Sequence, residues 1–341
     1  TEYVRTTYKT NLSYTWQLPN SVQYTVKALE LGRIATELSA DFEDFLAEER
    51  LDGSTFPLLF DPAIFTTIGI QRNKSSRQYQ DGGEGFFLLT QFDLGGDPNR
   101  LFGDDFFGEG LETYQFSRAN FDYREIIRLR RKLNMAFRFN VGLAYPYGSN
   151  AALPNRYYFF LGGSNSVRAW RPNRLGPGAF GVADVEEVTL SDQTVQQRRT
   201  GRTDETVENP GELMLQGSLE FRQKINSFVE TAVFLDLGNV WLLRGDLVNP
   251  EDDADAEFDE NGNLLRAGDD GLFRVENFFK EIAVGTGFGF RFDLQFLIFR
   301  LDLGLRVFDP AQPLQNRFVL DRLTDDFGYV SQVNIGIGYP F

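Results

Sequence analysis

Neither cysteine nor histidine occurs anywhere in the 341 residues. The first absence excludes a disulfide framework and thiolate chemistry. The second removes imidazole as a metal ligand and as a general base. Helix-sized apolar runs are missing too. Mean hydropathy is −0.31, and no stretch approaches the roughly 18 apolar residues of a membrane-spanning helix. Positive charge is scarce, with 34 Lys and Arg against 49 Asp and Glu, a net of −15. That balance speaks against a nucleic-acid partner, which needs a basic stripe. The chain opens Thr1-Glu2-Tyr3 with no basic, apolar leader, as expected of a chain whose export signal has been removed, or of a fragment.

What is present is aromatic and glycine-rich: 34 Phe, 13 Tyr and 33 Gly. These residues are arranged with period two. From Asn134 to Tyr147, Met135, Phe137, Phe139, Val141, Leu143 and Tyr145 hold one parity. Asn134, Ala136, Arg138, Asn140, Gly142 and Ala144 hold the other. Such alternation specifies a strand with one apolar and one polar face, and its length suits a tilted bilayer crossing of roughly 9–11 residues. The pattern recurs in Ile282, Val284, Phe288, Phe290 and Phe292, and again in Leu297, Phe299, Leu301, Leu303, Leu305 and Val307. The intervening positions carry glycine and both signs of charge, which suits a narrow hydrated lumen better than the open polar face of a soluble sandwich. The sequence therefore predicts an all-β chain, a transmembrane antiparallel β-barrel.

Eleven strands are expected, at 2–17, 22–34, 62–74, 85–95, 112–129, 133–147, 212–224, 228–242, 280–293, 296–307 and 329–341. Tight links alternate with the long polar stretches 35–61, 96–111, 148–211, 243–279 and 308–328. Short turns on one rim and long loops on the other is the layout of membrane barrels. The link 75–84 is longer than its short-turn peers. Single-chain bacterial barrels usually have even strand numbers, so either the chain holds strands that the alternation does not mark or it begins partway through a larger barrel; Thr1 opening directly into a strand favours the second.

The longest loop, 148–211, holds the most specific segment, Phe159-Phe160-Leu161-Gly162-Gly163-Ser164-Asn165-Ser166-Val167-Arg168-Ala169-Trp170. It is too apolar for a solvated loop. Gly162 and Gly163 would permit a tight reversal back into the barrel, carrying Arg168 inside. A buried guanidinium needs carboxylates, and Glu220 and Asp236 lie on lumen parity in the next two strands. From the residues alone, an arginine–acid cluster and separately hydrated lumen charges both fit.

This segment resembles the hallmark of the Omp85 superfamily, the BamA and TamA class of outer-membrane assembly and translocation barrels. Gly162-Gly163 and Val167-Arg168-Ala169-Trp170 match it, with Ala169 where the family has glycine. The resemblance runs from roughly residue 110 to Phe341. It implies that Arg168 pairs with Glu220 and Asp236. It also implies a 16-stranded barrel with the loop between strands eleven and twelve, so that five strands and periplasmic POTRA domains would lie upstream of Thr1. Ser166-Val167-Arg168-Ala169-Trp170-Arg171-Pro172 with Leu175-Gly176-Pro177-Gly178 is most similar to the TamA-like proteins of Bacteroidota (TamL).

Val333, Ile335, Ile337, Tyr339 and Phe341 alternate to an aromatic terminus, as in the C-terminal strand that outer-membrane assembly machinery reads. Pro340 cannot donate to a ladder, so that end should pair weakly. Gly336 and Gly338 would thin the packing at a seam between first and last strands, where the resemblance implies lateral opening and templating of client strands. In the acidic stretch 243–279, Glu257, Asp259 and Asn261 precede Gly262 with the spacing of a calcium loop, but the twelfth position is Gly268 rather than Glu. A solvated acidic loop is the better reading, and no metal is expected. The polar segment 179–210, with Gln196-Gln197-Arg198-Arg199, is expected to be mobile.

The expectation is thus a non-enzymatic factor of the bacterial outer membrane, without cofactors. Its partners would be outer-membrane lipids, nascent outer-membrane proteins as clients, and periplasmic or lipoprotein subunits of a larger complex. A passive or substrate-specific porin is the alternative. A hydrolase barrel has no His to pair with a nucleophile; a Ser–Lys or carboxylate site has no residue pattern pointing to it.

Overall fold

The structure is a computed structural model that describes residues 3–51, 60, 62–76, 79, 83–98, 113–147, 153–180, 183–189, 195–203, 208–243, 271–312 and 316–341. Among the described residues there are thirteen strands: β1 (Tyr3–Leu18), β2 (Val22–Leu38), β3 (Ala63–Ser75), β4 (Gly85–Gly96), β5 (Gln115–Arg130), β6 (Leu133–Tyr147), β7 (Ala183–Thr189), β8 (Val195–Thr203), β9 (Leu213–Lys224), β10 (Val229–Trp241), β11 (Ala283–Asp293), β12 (Ile298–Phe308) and β13 (Ser331–Ile337). Eleven of them form one antiparallel sheet in the order β1-β2-β3-β4-β5-β6-β9-β10-β11-β12-β13. No helix among the described residues is long and apolar enough to cross a membrane.

The sheet is curled. Phe341, four residues past β13, packs in one cluster with Ile126 of β5 and Ala136 of β6. β13 and β5 are six places apart in the strand order, roughly 29 Å across a flat sheet at about 4.8 Å per strand. Four residues reach only about 14 Å. Curvature must supply the rest. It turns one parity of every strand into a concave wall and the other into an outer wall.

Chemistry sorts with that parity. Asp122, Asn140, Glu220, Arg222, Asp236, Arg291, Arg300 and Asp302 are buried inside, while Phe121, Phe139, Leu143, Val233, Phe288, Ile335 and Ile337 are exposed outside. A water-soluble globule does the reverse. A contiguous apolar outer surface around a charged interior is stable only in lipid. The charged side chains can sit inside because they find opposite charges on their own and neighbouring strands, as Asp122 of β5 does with Arg124 at 2.7 Å and with Arg138 of β6 at 2.8 Å.

Three local differences from the sequence expectation stand out. β2 runs to Leu38 and is followed by helix α1 (Ala40–Leu51) within the stretch read as loop. The Ser39 hydroxyl accepts from the Phe42 amide at 3.4 Å, and Asp41 and Glu43 occupy the first turn. Both features favour a helix start, and Phe42 and Leu46 join the buried core. Second, the polar segment 179–210 contains the antiparallel pair β7–β8, with Glu186↔Arg198 in register. Third, the last strand stops at Ile337 rather than 341, because Gly338 turns with φ 79° and Pro340 has no amide to donate. A short helix, α2 (Phe327–Val330), takes the place of its expected first residues. Glu257, Asp259, Asn261 and Gly268 lie outside the described residues.

Candidate functional site

Between β6 and β9 the chain leaves the sheet, enters the concave face and returns to the neighbouring strand. Two anchors hold it. The first is Tyr157, whose hydroxyl donates to Glu30 on β2 at 2.8 Å and lies 3.0 Å from the Thr67 hydroxyl on β3. Its ring packs against Phe65 and Phe116 at centroid distances of 5.5 and 4.3 Å. Two residues on, Phe159 exchanges both backbone hydrogen bonds with Gly211 at 2.9 Å. The Arg118 guanidinium lies 4.3 Å from the Phe159 ring centroid.

The second anchor is the segment singled out by sequence. Gly162 and Gly163 have φ of 105° and 90°, a region disfavoured for any residue with a Cβ. A side chain at Gly162 would also meet the Arg171 carbonyl at 2.1 Å. The reversal closes when the Gly163 amide donates to the Trp170 carbonyl at 2.8 Å. Val167, Arg168, Ala169 and Trp170 are all buried.

Arg168 is fully enclosed, and Asp236 on β10 receives it bidentately. The Arg168 Nε donates at 2.8 Å and a terminal nitrogen at 2.9 Å, and the Arg168 amide adds a third bond at 3.1 Å. The other terminal nitrogen donates to Glu220 on β9. Its guanidinium stacks on Phe234, 3.4 Å from the ring centroid. Planar two-point recognition of this kind is specific to arginine. The structure thus brings Arg168, Glu220 and Asp236 together.

It also recruits residues that were not singled out in the sequence. Asp302 on β12 lies 3.8 Å from Arg168 and binds Arg291. Glu220 is shared with Arg222 at 2.8 Å and Arg291 at 3.1 Å. Arg300 donates to the Asn165 side chain at 2.7 Å. Asn334 on β13 donates to the Arg168 carbonyl at 2.8 Å, and Arg306 donates to the Ala169 carbonyl at 3.1 Å. The available signal was lumen parity plus alternating sign in Phe290-Arg291-Phe292 and Phe299-Arg300-Leu301-Asp302. Which of these charges would meet the loop is not written in that signal.

Ala169 fits because glycines face it. A Cβ on Gly285 of β11 would stand 2.7 Å from the Ala169 Cβ, and one on Gly304 of β12 would stand 2.4 Å from the Arg168 carbonyl oxygen. Gly285→Ala is therefore expected to destabilise the barrel by about 2 kcal/mol through overpacking. In an Ala169→Gly background most of that cost should vanish. Equilibrium unfolding of the two single variants and the double variant measures the coupling. Additive effects would mean that this contact is not the cause.

Val333, Ile335 and Ile337 point outward, with 57%, 66% and 77% of their surface free. Tyr339 and Phe341 do not continue that face, contrary to the simple alternation. After Gly338 they turn inward, and the Arg222 guanidinium sits 4.3 Å from the Tyr339 ring centroid and 5.6 Å from that of Phe341. The terminal aromatics are thereby tied to the same charge network as Arg168, through Arg222 and Glu220. No group of three or more potential metal-binding side chains occurs among the described residues. The chemistry on offer is positional: a rigid plug, a charged wall and a strand edge.

A family model described as the Omp85 superfamily domain matches residues 5–341. Among solved structures, the crystal structure of BamA from Haemophilus ducreyi lacking POTRA domains 1–3 is similar, with a TM-score of 0.53 and 15% identity over 89% of this chain and 51% of that one. CdiB from Escherichia coli gives a TM-score of 0.43 and 12% identity over 91% of this chain and 43% of that one. The chain spans about half the length of these solved relatives. The comparison with curated proteins gives no match.

Proposed function

Because the chain belongs to the Omp85 superfamily, we propose that it assembles or translocates proteins at the bacterial outer membrane, without enzymatic chemistry and without a cofactor. The observation that carries this reading is the loop locked in the lumen by Arg168, Asp236 and Glu220. A plug held by buried ion pairs suits a barrel that must stay closed while its wall works. A passive porin would need the opposite, an open lumen.

The working element would be the edge strand β13. Among the described residues it is hydrogen-bonded only to β12, over seven residue pairs. Unpaired backbone groups are costly in lipid. An incoming strand that pairs with such an edge relieves that cost by β-augmentation. Nascent outer-membrane proteins are the proposed clients, and periplasmic or lipoprotein subunits the proposed partners. The finer assignment, a TamA-like protein of the Bacteroidota type, rests on Ser166–Pro172 and Leu175–Gly178.

The test uses the intact protein in vesicles, mixed with an unfolded outer-membrane barrel as client. Client folding, read as heat-modifiable gel mobility, should accelerate severalfold over empty vesicles, and planar bilayers should show only small conductance. A large steady pore with no acceleration of the client would sink the proposal and favour the porin.

A further inference from the structure

Cations are scarce in this chain, yet they crowd one point of the short-turn rim. Arg128, Arg130, Arg131 and Lys132 lie at the end of β5 and in the β5–β6 turn, all exposed. β6 pairs with β9, so the β9–β10 turn lies alongside. The Lys224 amide donates to the Lys132 carbonyl at 2.8 Å, and the Lys132 ammonium donates to the Ile225 carbonyl at 3.3 Å. Lys224, also exposed, is the fifth cation. None of the five forms an ion pair among the described residues. By contrast Arg124, further up β5, is bound to Asp122 at 2.7 Å.

Apolar side chains are interleaved with these charges. Leu129 and Ile225 are 45% and 51% exposed, and Phe228 in the same turn is 46% exposed. Leu129 lies at the bulge that closes β5 and Ile225 just beyond β9, at the ends of the two strands whose Phe121 and Phe221 face outward. The patch therefore straddles the lower limit of the apolar outer wall, with grease on the membrane side and unpaired cations beyond it. Amphipathic basic surfaces of this kind suit the boundary between acyl chains and anionic headgroups. A surface built only to grip an acidic protein would need no exposed apolar side chains beside the lipid-facing wall.

We infer that the β5–β6 and β9–β10 turns bind anionic phospholipid headgroups of the leaflet at the short-turn rim, with Leu129, Ile225 and Phe228 seated in the acyl region. This rests on the membrane-spanning reading of the chain. The contacts fix the depth and tilt of one side of the barrel, the side that carries β5, β6 and β9.

The intact protein would be reconstituted into phosphatidylcholine vesicles, with and without phosphatidylglycerol of the same acyl chains. Native mass spectrometry then compares the two lipids retained. The wild type should retain phosphatidylglycerol in preference, by on the order of tenfold at low ionic strength, and the preference should shrink as salt screens it. Arg128→Gln/Arg130→Gln/Arg131→Gln/Lys132→Gln should bring retention close to parity. Indifference of the wild type to headgroup would overturn the inference in favour of an acidic protein partner, as would a variant that selects as the wild type does. Insertion of both proteins into pure phosphatidylcholine, read by heat-modifiable mobility, tests the spanning reading separately. Failure to insert into any vesicle would sink both.

Discussion

Replacing Arg168 by alanine is expected to lower the unfolding free energy by about 3–5 kcal/mol, the cost of breaking a buried ion pair from one side. The substitution leaves Asp236 and Glu220 fully buried, and Asp236 loses two of the three bonds it receives from the loop. It also uncovers the Phe234 ring. Arg168→Lys should recover only part of the loss, because an ammonium cannot fill the two-point Asp236 site and reach Glu220 as well. Urea unfolding in lipid vesicles measures both variants. Proteolysis of the folded protein should cut the Arg168→Ala loop near residues 162–170 and spare the wild type. If the alanine variant unfolds at the wild-type midpoint and resists protease, the loop is held by its apolar packing instead, and the charge cluster is incidental. The same variant should slow client folding, since the proposed function depends on the closed plug.

Gly304→Ala is expected to cost nearly as much, about 3 kcal/mol, at the upper end of overpacking effects. The added methyl would stand 2.4 Å from the Arg168 carbonyl oxygen and 2.9 Å from the Ala169 Cα. Both are backbone atoms of a segment held by Asn334 and Arg306, so the loop cannot withdraw without giving up those bonds. Gly336→Ala is the internal control. Its methyl would meet only the far end of the Arg300 side chain, at 2.6 Å, which can yield more readily than backbone but at the cost of its bond to Asn165, so a smaller loss is expected. Equal losses for the two variants would show that glycine is needed for strand geometry in general. A clearly larger loss for Gly304→Ala shows that the loop backbone is seated against β12.

All eleven wall strands were legible in the sequence to within a few residues. Alternation is a local code: each strand side chain faces lipid or lumen according to parity, and that choice is written in consecutive letters such as Met135 to Tyr145. Helix α1 was legible in principle, through Ser39, Asp41 and Glu43, but its Phe42 and Leu46 read as loop until a core exists to receive them. Gly162, Gly163 and Arg168 stood out because nothing in a solvated loop requires them.

The sequence by itself determined which parity faces lipid and where the wall turns back; on the residues alone Arg168 could equally have been a hydrated charge or the partner of Glu220 and Asp236. Its partners beyond Glu220 and Asp236 were decided by tertiary structure. Curvature brings β9, β10 and β12 around one guanidinium and β13 to the Arg168 carbonyl, and no local pattern encodes the radius of a curled sheet. The same holds for the chain end. Alternation predicted Tyr339 and Phe341 on the outer face, but Gly338 frees the backbone to turn and Arg222 offers two rings a cation inside. Parity is fixed residue by residue; who meets whom across the lumen is fixed only when the wall bends.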